Sequence, residues 1–419
     1  MRAKQQEDCL NPAWMGSRTD PVREDLLGRG EAPDLGAVRA LFPPTTGDAA
    51  FDGNVIRGNI ERLKTVPEVD TGHSFLDLSV KTGLAFIDAT FQGDHPKYGV
   101  KGYGENCHDG FPPTIIAAVD ALSAWGLAAR AAQLFRHWLV HFVKDDGTIR
   151  YRGTSLAELG QLLHTAALLE ERIGSDGWWD DAEAPLERIA EWLLALRREA
   201  ESDDGLLVGV PEDDEKKNIG KYFHNNAWAA SGLRRWADLC ERRGAGPKTP
   251  PGDARRISAA LAADTLRAIE MHWPSDPSDW WLPPRLEDSP RPSSLTDTRE
   301  ASYTNYRYWP ELLSSGILPR ELAERVVNAR LSAGGQFCGM TRFADWLDDW
   351  PLADYLFALW RLGRKDDFLL SLYGHVAYHQ ADGHLTAYEQ VTFPPGKEKA
   401  AYCLPCQLVA ARAARLLVE

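Results

Sequence analysis

Residues 155–173, SLAELGQLLHTAALLEERI, place Leu156, Leu159, Leu162, Leu163, Ala166, Ala167 and Leu169 at helical spacing. That periodicity gives a helix with one apolar stripe, and Ser155 in front of it is a cap residue. Immediately upstream, DGTIRYRG (146–153) is a polar loop with a glycine and alternating apolar residues. Before that loop lies another periodic segment, Ala128–Val143, and beyond Ile173 a third, Ala182–Arg198. The unit is therefore helix, long loop, helix, short turn.

The unit recurs six times. The first helices are read over Phe75–Phe91, Ala128–Val143, Ala182–Arg198, Ala254–His272, Arg320–Ser332 and Lys365–Tyr378. The second helices are read over Pro113–Trp125, Ser155–Ile173, Asn225–Arg242, Ser302–Ser315, Pro351–Leu362 and Pro405–Leu417. Pro113, Pro351 and Pro405 suit the first helical position, where a missing N–H removes no bond. Gly126-Leu127 and Gly363-Arg364 mark short turns. DGLLVGV (204–210), GGQFCGMTRF (334–343) and DGHLTAYEQVTF (382–393) repeat the β-hairpin signal of 146–153. Six pairs with all long loops on one side predict an all-α fold, an (α/α)6 barrel with short β-hairpins in its loops. The second helices would form the inner ring, with their N-termini opening on the loop face. An open solenoid is the alternative. Residues 1–50, rich in Gly, Pro and charge, read as an irregular arm with a short helix near 35–42, and 51–419 as the barrel domain.

Net charge is −14 and no basic run appears, which argues against nucleic acid as a partner. No run of 18 apolar residues is present, so no membrane span is expected. MRAKQQEDCLNPAW lacks the apolar core of a secretory signal, and the six cysteines are scattered; a cytoplasmic protein with reduced thiols is expected. Cys403-x-x-Cys406 stands without a second such pair and reads as buried thiols. Trp is frequent, with 15 copies, many of them in loops, where indoles pack under the chain or stack on a ligand.

The long loops collect acids and aromatics. Loop one, GYGENCHDGF, holds Tyr103, Glu105, His108 and Asp109. Loop two holds Tyr151, with Glu158 one turn into the next helix. Loop three, PEDDEKKNIGKYFHNNAW, holds Glu212, Asp213, Asp214, Tyr222, His224, Asn225 and Asn226. Loop four, TREASYTNYRYW, holds Arg299, Glu300, Tyr303, Tyr306 and Trp309. Loop five, TRFADWLDDW, holds Arg342, Asp345, Trp346, Asp349 and Trp350; loop six holds His384, Tyr388, Glu389 and Tyr402. Glycoside hydrolysis needs such a set: one carboxylic acid to protonate the leaving oxygen, a carboxylate to activate water, and aromatics to stack on sugar faces. The plainer readings are that Asp213 and Asp214 lie in a solvated charged run, that Asn225 or Asn226 caps a helix, and that Tyr306 packs in the core.

The six-hairpin arrangement resembles the six-hairpin glycosidases, most closely the glucoamylase-like members. The resemblance implies a general acid on the third long loop, where Glu212 stands in VPEDDEKK, and a base on the last, where Glu389 stands in AYEQ. Asp109 of HDGF resembles an Asp that binds substrate hydroxyls. The tryptophan-rich surroundings usual for the acid are missing in PEDDE. The resemblance further implies a carbohydrate substrate; the two acids' loops, third and sixth in the ring, lie across it from each other, and inversion at the anomeric carbon is expected from that spacing. Tyr103, Glu105, His108, Tyr222, His224, Asn225, Glu300, Tyr303, Tyr306, Arg342, Trp346, Tyr388 and Tyr402 are expected to line the substrate site, and no metal or cofactor is expected. Other functions remain open on the same barrel. A sugar epimerase similar to the N-acylglucosamine 2-epimerases would use His224, His379 or His384; a zinc enzyme resembling the lanthionine cyclases would use Cys107, His108 and a later cysteine; a noncatalytic carbohydrate-binding barrel would use the aromatics alone.

Overall fold

The computed structural model describes residues 66–418 except 100, 105, 154, 174–176, 201–203, 213–216, 274, 275, 277, 278, 288, 381–384, 393–397 and 402. The expected N-terminal arm, residues 1–50, lies outside the described residues, as do 51–65. From Ser74 onward the chain alternates between two layers of helices. The outer layer holds α1 (Ser74–Thr90), α3 (Ala128–Phe142), α5 (Glu183–Glu199), α7 (Pro251–His272), α10 (Arg320–Ser332) and α12 (Lys365–Tyr378). The inner layer holds α2 (Pro112–Ala124), α4 (Leu156–Ile173), α6 (Phe223–Arg243), the pair α8 (Arg299–Tyr303) and α9 (Trp309–Ser314), α11 (Leu352–Leu362), and the pair α13 (Leu404–Gln407) and α14 (Val409–Val418).

The inner helices touch in ring order: α2 with α4, α4 with α6, α6 with α9, α9 with α11, α11 with α14, and α14 with α2 again. The ring is closed, as the alternation predicts, and the open solenoid is excluded. Trp125 at the end of α2 donates its indole N–H to the Ala411 carbonyl at 2.7 Å, across the seam between first and last hairpins. Composition explains the layering. Every residue of α2 is buried, consistent with a helix that is apolar or small on all sides. In α3 only the stripe Ala131, Ala132, Leu134, Phe135, Trp138, Leu139 and Phe142 is buried, as in a helix with one side in water. Gly126 and Gly363 sit at φ 80° and 75°, a left-handed conformation that ends an inner helix and turns the chain outward within two residues.

Two of the four expected hairpins form strands. β1 (Gln336–Phe337), β2 (Met340–Phe343), β3 (Trp346–Asp348), β4 (Tyr388–Thr392) and β5 (Glu398–Ala401) make one antiparallel sheet in chain order, joining loops five and six. Leu347 faces Val391 and Asp348 faces Gln390 across β3 and β4. The other two segments differ from expectation. DGTIRYRG contributes one bridge, Val143 to Ile149, and DGLLVGV contributes the bridges Gly209 to Gly220 and Ser155 to Val210. Neither has a neighbouring strand to extend a ladder, whereas loops five and six supply one another's.

Candidate active site

The inner helix of the fourth hairpin changes winding at its loop end. Between α8 and α9, Thr304–Tyr308 runs as a single π-turn, a feature often found at functional sites. The turn aims Tyr306, Arg307 and Tyr308 inward, and all three are buried. Asn305 anchors it: its amide donates to the Gly335 and Arg342 carbonyls at 2.8 and 2.6 Å, and its oxygen accepts from Arg330 at 3.0 Å.

Arg307, 1 % exposed, is the hub. Its guanidinium reaches three carboxylates from three hairpins: Glu158 of α4, Glu212 of loop three, and Glu311 one turn along its own helix at 2.7 Å. It also lies over the Trp350 ring, 5.0 Å from the centroid. One cation thus faces three acids out of water. Burial pushes the Glu311 carboxyl up to about 8 in spite of Arg307, so near neutrality this group keeps its proton.

Around the hub stands an aromatic wall. Tyr98, Phe111, Tyr306 and Trp350 are buried together, with Tyr103, Tyr151, Tyr303 and Phe343 against them. Tyr103 donates its phenol to Glu389 of β4. His108 sits among these rings with Nδ1 3.0 Å from the Tyr151 hydroxyl. Asp348 of β3 lies beside Glu389. Burial, then the Glu389 charge, holds the Asp348 carboxyl well above the ordinary range, although Gln390 donates to it at 2.6 Å and the Trp350 N–H at 3.2 Å. Tyr306 stands in the field of Asp348, Glu389 and Glu212 together, which puts all three acids at the same end of the ring.

The expected site residues divide into two groups. Tyr103, His108, Glu212, Tyr303, Tyr306 and Glu389 come together at the loop end. The other described ones have partners outside that cluster. Asp109 is held by Lys97 at 2.9 Å and His95 at 2.7 Å, inside loop one. Asn225 is buried, accepting from the Ala157 N–H at 3.1 Å and donating to the Val210 carbonyl at 2.7 Å; contrary to expectation it pins loop three and presents nothing to a sugar. His224 faces the Pro211 carbonyl at 3.0 Å and stacks on Tyr308, and burial lowers it to about 3. Tyr222 packs under Arg285, and Glu300 binds Arg285 at 3.3 Å and Ser289 at 2.8 Å. Arg342 donates to the Gly334 carbonyl at 3.0 Å, Trp346 lies in β3, and Tyr388 packs with Met340, Leu347 and Val391 apart from the aromatic wall. Glu105 and Tyr402 lie outside the described residues, as do Asp213, Asp214 and His384. Arg307, Glu311 and Asp348 were not expected. The signal for the first two is an Arg and a Glu four residues apart in a segment otherwise aromatic and apolar.

Beneath the Arg307 layer a cavity of about 390 Å³ runs along the barrel axis, lined by Asp120, Gln161, His164, Glu311, Trp350 and Asp354 among others. It is distinct from the loop-end cluster and shares only its floor, Glu311 and Trp350. Among the described residues, the group placed to hold a metal is Asp349, His375 and His379. Cys107, Cys240, Cys338, Cys403 and Cys406 form no disulfide among the described residues.

No family model matches the chain, and no curated protein matches it. Solved structures do. A glycosidase solved in complex with glucose superposes with a TM-score of 0.58 at 13% identity, over 82% of this chain and 97% of that one. A cellobiose 2-epimerase from Bacillus thermoamylovorans gives 0.54 at 10% identity, over 88% and 99%. A rhamnosidase from Klebsiella oxytoca with rhamnose bound gives 0.58 at 12% identity, over 82% and 64%. The chain shares a helical barrel fold with these structures. No helix among the described residues is long and apolar enough to cross a membrane.

Proposed function

We propose that the chain is a glycoside hydrolase whose reaction centre lies at the loop end of the barrel, between Glu212 and Glu389. The observation that carries the reading is the shared field of Glu212, Glu389 and Asp348 at Tyr306, within an aromatic wall suited to a sugar ring. Loops three and six stand opposite one another in a ring of six, the arrangement that a sugar with an attacking water between two carboxyls calls for. Inversion needs a separation of about 6.5–9.5 Å between them.

Glu389 is the base. Burial and the neighbouring Glu389 charge raise the Asp348 carboxyl and favour its neutral form, and the base's role falls to Glu389. Tyr103 orients it by the phenol hydrogen bond. Glu212 is the acid, and its pairing with Arg307 is the obstacle to that role. Three acids around one cation retain a proton among them, resting on Glu311; donation by Glu212 requires that proton to pass to it as the glycosidic oxygen approaches. An epimerase reading finds less support: His224, at about 3 and turned to a backbone carbonyl, is poorly placed to shuttle protons.

The test is incubation with a panel of aryl glycosides and oligosaccharides, followed by proton NMR of the products. The expected result is a released sugar whose first-formed anomer is the opposite of the substrate's. A sugar epimerised without bond cleavage contradicts the hydrolase reading, and a retained anomer contradicts inversion.

A further inference from the structure

Behind the sheet, Asp349, His375 and His379 form a wholly buried cluster. His375 and His379 lie one turn apart at the C-terminal end of α12 and so share a face. His375 Nδ1 is 3.1 Å and His379 Nε2 is 3.3 Å from the same oxygen of Asp349, Oδ2. The outer contacts are also set. His375 Nε2 is 3.1 Å from the Cys406 carbonyl, and Asp349 Oδ1 accepts from the Thr341 N–H at 2.8 Å. His379 is the less fully partnered of the two: its Nε2 makes no hydrogen bond, and its side chain has no access to water. A buried imidazole nitrogen in that state is costly unless something else occupies it.

We propose that Asp349, His375 and His379 bind one divalent ion of the zinc class, through Asp349 Oδ2, His375 Nδ1 and His379 Nε2. Ligands held at about 2.0–2.1 Å in a tetrahedron sit roughly 3.3 Å apart, close to both measured spacings. Two imidazoles select zinc or its transition-metal neighbours over calcium and magnesium, which prefer oxygen. The Cys406 carbonyl on the far nitrogen of His375 and the Thr341 N–H on Asp349 are the outer partners that orient such ligands. The ion is a brace. Asp349 directly follows Asp348, and the Tyr388 N–H that opens β4 donates to the His379 carbonyl at 2.8 Å. One ion therefore ties α12 to the two strands that carry Asp348 and Glu389. The inference is independent of the hydrolase reading, because it rests on binding and not on turnover.

The test uses the full chain, prepared without a histidine tag. Metal-stripped protein is titrated with zinc and with cobalt, and bound metal is measured after gel filtration. The expected result is one equivalent of zinc, a melting temperature that rises on loading and falls on chelation, and the visible absorption of tetrahedral cobalt. His379→Gln loses the bound equivalent while keeping its far-ultraviolet circular dichroism. Wild-type protein that retains no zinc or cobalt overturns the proposal, whether or not the variant folds. So does a folded His379→Gln that binds the same equivalent with the same cobalt spectrum.

Discussion

Arg307 shows how a single side chain decides the electrostatics of the loop end. It is permanently charged, fully buried, and shared by Glu158, Glu212 and Glu311. Removing it leaves acids in a dry site without a cation, so Arg307→Met should destabilise the fold by about 3–5 kcal/mol, read from urea midpoints. A loss below 1 kcal/mol would mean the acids are hydrated. Glu311 gives a prediction with a sign. Its carboxyl moves from 4.5 to about 8 on folding, so the folded state holds a proton that the unfolded chain releases between those values. Its contribution is complete below about pH 4.5 and disappears as pH rises through about 8. Glu311→Gln, which stays neutral, should flatten the fall in stability across that window; melting curves with parallel pH slopes for the two proteins would refute this. The sequence made Tyr103, Tyr306, Glu212 and Glu389 legible as candidates because loop segments dense in acids and aromatics stand out. Arg307 was hidden because YRYW reads as packing, and no pattern announces that a buried Arg will meet acids 149 and 95 residues away.

Most helices were legible to within two residues because each layer imposes its own periodicity, all-round burial in α2 and a stripe in α3; α7 and α8 begin three residues earlier than expected, and the fourth and sixth inner helices are interrupted. Strands were less so. A glycine with alternating neighbours describes 146–153 as well as 334–343, but only the second finds a partner strand, and pairing is a tertiary event. Close packing of elements leaves a clearer trace. A Cβ on Gly160 of α4 would stand 2.1 Å from the Trp228 carbonyl oxygen of α6, and one on Gly232 would stand 2.4 Å from the Gly160 carbonyl. The two helices therefore meet backbone to backbone, and no rotamer change relieves the clash. Gly160→Ala should cost at least 1–3 kcal/mol, roughly the penalty of overpacking a core, despite the better helix propensity of alanine. A variant as stable as wild type in thermal unfolding would show that α4 and α6 stand further apart.

At the scale of the molecule, ring closure explains why acids from the second, third, fourth, fifth and sixth hairpins meet. Each loop connects into the N-terminus of an inner helix, and six such N-termini surround one axis. Closure also means that the last hairpin completes the wall of the first, through Trp125 and Ala411, so a chain ending near Leu362 should lose cooperative unfolding altogether. The same order places the loops that carry Glu212 and Glu389, the third and the sixth, across the ring from one another, which is the basis of the assigned roles. The most direct measurement is the turnover of Glu389→Gln beside wild type on a glycoside that the wild type cleaves. The account predicts a fall in kcat of roughly 10²–10⁴-fold or more, with the melting temperature nearly unchanged. Near-wild-type turnover by a folded Glu389→Gln would contradict it.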